Sequence, residues 1–109
     1  MKVISVPLTQ EAMYRVDLDQ SLEGDLKELT LSDSEFSVLW SSGVLDDLNE
    51  ELDLLIGDFE DESITGERLE QALAITQQNK HYLHTSVVNA LASQLELAIS
   101  KSTGVFFFF

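Results

Sequence analysis

The chain has 109 residues, with 20 acids against 6 lysines and arginines, a net charge of −14, 44% hydrophobic residues and no cysteine. That length holds one domain with a real core and no second catalytic unit, and the apolar content excludes a disordered acidic tail. The charge argues against independent binding to nucleic acid or an anionic membrane, both of which need a basic face; without cysteine there is no disulfide framework, thiolate nucleophile or Cys-based zinc site.

Residues 2–8 (KVISVPL) read as a strand, placed near a sheet edge by Pro7. Tyr14, Val16 and Leu18 alternate with Arg15, Asp17 and Asp19, the period of a half-buried strand. A turn at Thr9–Ala12 would make these two a hairpin; a short helix starting at Thr9 is the alternative. Leu29 and Leu31 flank Thr30 in another short strand. Ser32-Asp33-Ser34-Glu35 is a capping-box pattern that opens a helix carrying Phe36, Leu39 and Trp40 inward. Trp40 and Tyr82 are of the types enriched at interfaces, but Trp40 lies on the apolar stripe and is assigned to the core.

Ser41-Ser42-Gly43 breaks that helix. The next begins near Val44, with Leu45, Leu48, Leu52 and Leu55 on one stripe and Gly57 as its C-terminal stop. Residues 58–66 read as an acidic loop, and Thr65 as the cap of a helix carrying Leu69, Ala72, Leu73 and Thr76. After a break at 80–85, the most apolar helix presents Leu83, Val87, Leu91, Leu95 and Ala98, with Val88 and Ile99 beside them. Gly104 permits a turn into Val105 and four phenylalanines. Exposed, that run would template aggregation; it is therefore expected as a strand buried on both faces, beside residues 2–8, with a dimer or partner interface as the alternative. The expected fold is α+β and a single domain over 1–109. About four helices, near 33–41, 44–56, 66–79 and 84–101, pack with a small sheet that includes 2–7 and 105–109.

The acids are concentrated. Residues 1–70 hold 19 acids and 4 bases, and Asp46 to Glu62 hold nine acids and no base: Asp46, Asp47, Glu50, Glu51, Asp53, Asp58, Glu60, Asp61 and Glu62. Like charges this close repel one another and cost folding stability, a cost that a basic partner converts into binding energy. A solubility surface that contacts nothing is the plainer alternative.

Motifs for chemistry fail on inspection. Residues 17–28 place Asp17, Asp19, Ser21 and Glu28 at the ligand positions of a calcium loop, but Leu22 stands where the sharp turn needs glycine. His81 and His84 are three apart, with no acid within ten residues and no third ligand, so they suit a polar helix end better than a metal. Thr85 and Ser86 follow His84 outside any nucleophile elbow, and no Gly-rich phosphate loop is present. The expectation is a protein without enzymatic activity, metal or cofactor. No run reaches the length of about 18 apolar residues that marks a membrane span, and MKVISVPLTQEAM lacks a signal-peptide core. The expected address is the cytoplasm.

The stretch from Leu31 to Ile75 (LSDSEFSVLW, then SSGVLDDLNEELDLLIGDFEDESI, then TGERLEQALAI) resembles small bacterial immunity proteins. These neutralise toxin domains of polymorphic-toxin and contact-dependent growth inhibition systems. A short capped helix, a second helix with an acid-rich outer face and an acidic loop opening a third carry the resemblance, which covers fewer than half of the residues. The paired-tyrosine segment of the four-helix nuclease-colicin immunity proteins is missing. The resemblance implies a cognate toxin domain as partner, basic where it binds RNA or DNA, met by the nine carboxylates of Asp46 to Glu62. Two other functions share the acidic composition: a chaperone for a secreted effector, and a nucleic-acid mimic that inhibits a nuclease or repressor. Neither composition nor spacing sets the oligomeric state.

Overall fold

The structure is a computed structural model that describes residues 2–78 and 86–109. The described chain runs β1 (Lys2–Pro7), α1 (Gln10–Asp17), β2 (Leu26–Leu31), α2 (Asp33–Ser41), α3 (Val44–Leu52), β3 (Asp61–Thr65), α4 (Arg68–Thr76), α5 (Ser86–Lys101) and β4 (Gly104–Phe108). This is an α+β fold with one four-stranded antiparallel sheet in the order β2-β1-β4-β3.

The two apolar ends of the chain form the middle of that sheet, as their composition requires. Val3 pairs with Phe108, Ile4 with Phe107 and Ser5 with Phe106. Side chains alternate across a strand, so Ile4, Val6, Val105 and Phe107 enter one face. There they join Leu39, Leu45, Leu48, Leu91 and Leu95 of the helices in one core. The helix α5 lies against β1 and β4, with α4 beside it and α3 beyond. Gln94 crosses from α5 into the sheet, its Nε2 donating to Ile4 O at 2.9 Å and Lys27 O at 3.0 Å. These bonds satisfy a buried amide that would otherwise be costly. Gly104 is required by packing: a Cβ there would stand 2.7 Å from the Thr65 methyl and 2.9 Å from Ile64 O.

Several expectations are corrected. The strand β1 is interior, not an edge. Pro7 is tolerated because β4 pairs only with Val3–Ser5, leaving Pro7 beside β2 alone. Residues 14–18 are not a strand: the alternative from Thr9 forms, with Thr9 Oγ1 accepting from Ala12 N at 3.0 Å, so there are five helices among the described residues instead of about four. Arg15 on α1 donates twice to Asp25, both bonds 2.7 Å, and Leu22 N adds a third at 2.9 Å. The Arg15 bonds, then the Leu22 amide, pull the Asp25 carboxyl down to about 2.

The helix α3 ends at Leu52, not at residue 56, because Asp53 takes a left-handed φ of 53°. Leu55 is therefore off the buried stripe, and Leu54 and Ile56 are buried in its place. The expected loop 58–66 contains the edge strand β3, and Thr65 ends that strand instead of capping α4, whose N-cap is Glu67. Trp40 is 39% exposed and not core, while Leu39 takes the buried position. The capping box at Ser32 and Glu35 is present: Glu35 N donates to Ser32 Oγ at 3.1 Å and Ser32 N to Glu35 Oε1 at 2.9 Å. Gly43, with φ 86°, supplies the left-handed break before α3. The break at 80–85, with Tyr82, Leu83, His81, His84 and Thr85, lies outside the described residues.

Candidate interaction surface

The apolar stripe of α3 fixes where its acids go. With Val44, Leu45, Leu48 and Leu52 buried, Asp46, Glu50 and Glu51 are exposed and Asp47 is half-buried. Asp46 and Asp47 sit in the first turn, where the helix dipole favours a carboxylate. Glu50 and Glu51 sit in the last turn, where it disfavours one, and the last turn of α3 itself carries no basic residue. Asp53 is exposed at the C-cap. The α3 acids therefore add self-repulsion and, at the C-terminal end, an unfavourable dipole term.

Beyond α3 the chain is held tightly although it has no regular structure. Asn49 clamps Ile56 from both sides, Nδ2 donating to Ile56 O and Ile56 N donating to Oδ1, each at 2.8 Å. Leu55 N donates to Glu62 Oε2 at 3.0 Å, and Ser63 N to Glu62 Oε1 at 2.9 Å. Phe59 N donates to Phe109 O at 3.0 Å. Lys2 also reaches Phe109 O, at 3.0 Å, and pairs with Asp58. Its ammonium stands 4.9 Å from the Phe36 ring centre and 5.3 Å from that of Phe59, within cation–π range.

This scaffold holds two large apolar side chains out in water. Phe59 is 91% exposed and Leu55 is 73% exposed. Phe59 has a left-handed φ of 65°, a conformation disfavoured for a bulky side chain. Trp40 stacks on Phe36 at 6.3 Å, so a row of rings runs from Trp40 through Phe36 and Lys2 to Phe59. Sequence reasoning missed Phe59 and Leu55. The available signal was a lone aromatic in Gly57-Asp58-Phe59-Glu60, between acids and off any apolar period.

The nine acids do not share one role. Asp46, Glu50, Glu51 and Asp53 are exposed on α3 or its cap, with Asp47 half-buried beside them, and Glu60 is exposed on the loop. Asp58 is neutralised by Lys2, and Glu62 is occupied with backbone amides. Asp61 opens β3 and lines a cleft on the opposite face of the sheet. Among the described residues no group of three or more His, Asp or Glu is arranged to hold a metal, and no helix is long and apolar enough to cross a membrane.

No protein-family model, curated protein or solved structure matches this chain.

Proposed function

We propose that this protein is an inhibitor of the immunity type, which binds and neutralises a cognate toxin domain with a basic, nuclease-like substrate cleft. The observation that carries this proposal is Phe59, with Leu55: large apolar side chains held in solvent by a hydrogen-bonded loop that follows the acidic helix α3. Burying one such side chain contributes roughly 1.5–3 kcal/mol, and aromatic residues, phenylalanine among them, are enriched at interface cores. The carboxylates supply long-range attraction to a basic partner, and the anchors supply the slow dissociation. An acidic solubility surface accounts for the charge but leaves Leu55 and Phe59 without a purpose.

Co-expression with a nuclease toxin domain, which the proposal expects to be encoded beside this gene, tests it. The wild-type chain is expected to restore growth and co-purify with the toxin. Leu55→Ala with Phe59→Ala, substitutions at exposed positions, is expected to leave the fold intact and lose protection. Absence of protection by the wild type, or equal protection by the double variant, contradicts the proposal.

A further inference from the structure

The sheet face opposite the helical core is only partly covered. The C-terminal end of α1 and the turn after it form one wall of a cleft of about 730 Å³ there, and the sheet forms its floor. Val3, Ser5, Phe106 and Phe108 make that floor, with the Phe106 and Phe108 rings stacked at 6.3 Å. Asp17, Asp19, Glu28 and Asp61 stand around it, and among the described residues no lysine or arginine lines it. Val16 and Asp17 in that wall belong to the last turn of α1, the negative end of its dipole.

A ring of acids alone indicates no ligand. Ser5 supplies the second observation. Ile4 and Val6 enter the core, so the Ser5 side chain is on the cleft side of β1. It is 0% exposed, and its Oγ has no hydrogen-bond partner among the described residues. A buried hydroxyl in that state is destabilising until a donor reaches it. The floor thus offers phenyl surface for an apolar stem, an unsatisfied acceptor, and carboxylates for a positive head. Asp61 lies in β3 directly after Phe59 and Glu60, so a partner covering that loop extends to the cleft rim.

We propose that the cleft receives an arginine side chain from the basic protein partner. Its stem lies over Phe108, its guanidinium sits among Asp17, Glu28 and Asp61, and one N–H donates to Ser5 Oγ. This assignment rests on the inhibitor function proposed above and names a second contact site for the same partner. The four residues that mimic a calcium loop in sequence (Asp17, Asp19, Ser21 and Glu28) meet at this cleft, but their carboxylates are not gathered as metal ligands.

The test is an NMR titration of the isotope-labelled full chain with the blocked tripeptide acetyl-Gly-Arg-Gly-amide. Its citrulline counterpart, with the same shape and no charge, is the control. The arginine peptide is expected to give saturable shifts of the Val3, Ser5, Phe106 and Phe108 amides in the millimolar range, at least about tenfold tighter than the citrulline peptide. Ser5→Ala is expected to raise the melting temperature of the free protein, because the orphaned hydroxyl is gone, and to weaken arginine binding about tenfold. Equal binding of the two peptides, no saturable shift, or unchanged affinity in Ser5→Ala overturns the proposal. Two further results also overturn it: agmatine binding tenfold tighter than the peptide, which assigns the cleft to a free amine, and calcium giving the saturable response. Peptide binding is independent of the toxin, so its failure alongside toxin protection removes only the cleft assignment. Peptide binding without toxin protection removes the inhibitor function instead.

Discussion

Asn49→Ala removes the clamp that holds the segment between α3 and β3. Two hydrogen bonds of 2.8 Å disappear, and the N–H and C=O of the buried Ile56 both lose their partner. At about 1 kcal/mol net for each bond, the loss is about 2 kcal/mol, and more if the freed groups stay shielded from water. For a domain of this size that corresponds to a fall in melting temperature of roughly 8–12 °C. Urea unfolding followed by circular dichroism is the assay: the midpoint should fall by roughly 0.7–2 M with the slope unchanged, since the surface exposed on unfolding is the same. Asn49→Asp keeps the acceptor for Ile56 N but sets a carboxylate against Ile56 O, and should cost at least as much. The same variants loosen Leu55, which follows from Leu54 and Ile56 being its anchors, so amide exchange should quicken at residues 54–56 before the core strands. A loss below about 0.5 kcal/mol, with exchange unchanged, refutes the clamp as the element that orders this loop.

Phe107 is fully buried in the central strand β4 and meets Phe109 edge to face at 5.6 Å; Phe107→Ala should cost about 3–5 kcal/mol in the same unfolding assay. The Asp25 carboxyl is lowered in the folded state, so its stabilising contribution is complete above about pH 4 and lost as pH falls toward 2. Between those values the wild type should lose more stability than Asp25→Asn, a difference from which the shared relief of carboxylate repulsion cancels. Asp46→Lys with Glu50→Lys should leave stability unchanged or slightly raised: both sites are exposed, self-repulsion falls, and the dipole term lost in the first turn at Asp46 is regained in the last turn at Glu50; a large loss of stability in thermal melts counts against an outward-facing acidic helix. Trp40, the only tryptophan, is part-exposed, so acrylamide should quench native fluorescence readily; strong protection would contradict its place at the surface.

What was legible in the sequence is what short range decides. A β-branched N-terminal run and a C-terminal phenylalanine run have few ways to be buried except beside each other in a sheet, and that is where β1 and β4 lie. The box at Ser32 and Glu35 is complete within four residues. The errors occur where a distant contact decides. Tyr14 to Leu18 alternates over only five residues, a span that Ala12 and Val16 fit equally well as a helix face, and the Arg15–Asp25 pair lies beyond that window. The leucine stripe continues past Leu52 in the sequence, but Asn49 and Glu62 hold the backbone in another path. Asp61–Thr65 has one apolar residue and becomes a strand because β4 offers it an edge. The acids of the surface were visible as composition. The exposure of Leu55 and Phe59 was not, since an apolar residue reads as core until its surroundings are known.

In the proposed inhibitor function, carboxylates steer a basic toxin domain onto an acidic face anchored by Leu55 and Phe59. Stopped-flow association with that toxin domain across a salt series, wild type against Asp46→Lys with Glu50→Lys, measures this steering. Exposed charges are screened beyond about 8–10 Å near physiological ionic strength. Wild-type association should therefore slow steeply with added salt, while the double reversal associates more slowly at low salt and depends on salt less. Equal rates for the two proteins, with no salt dependence in either, would contradict it.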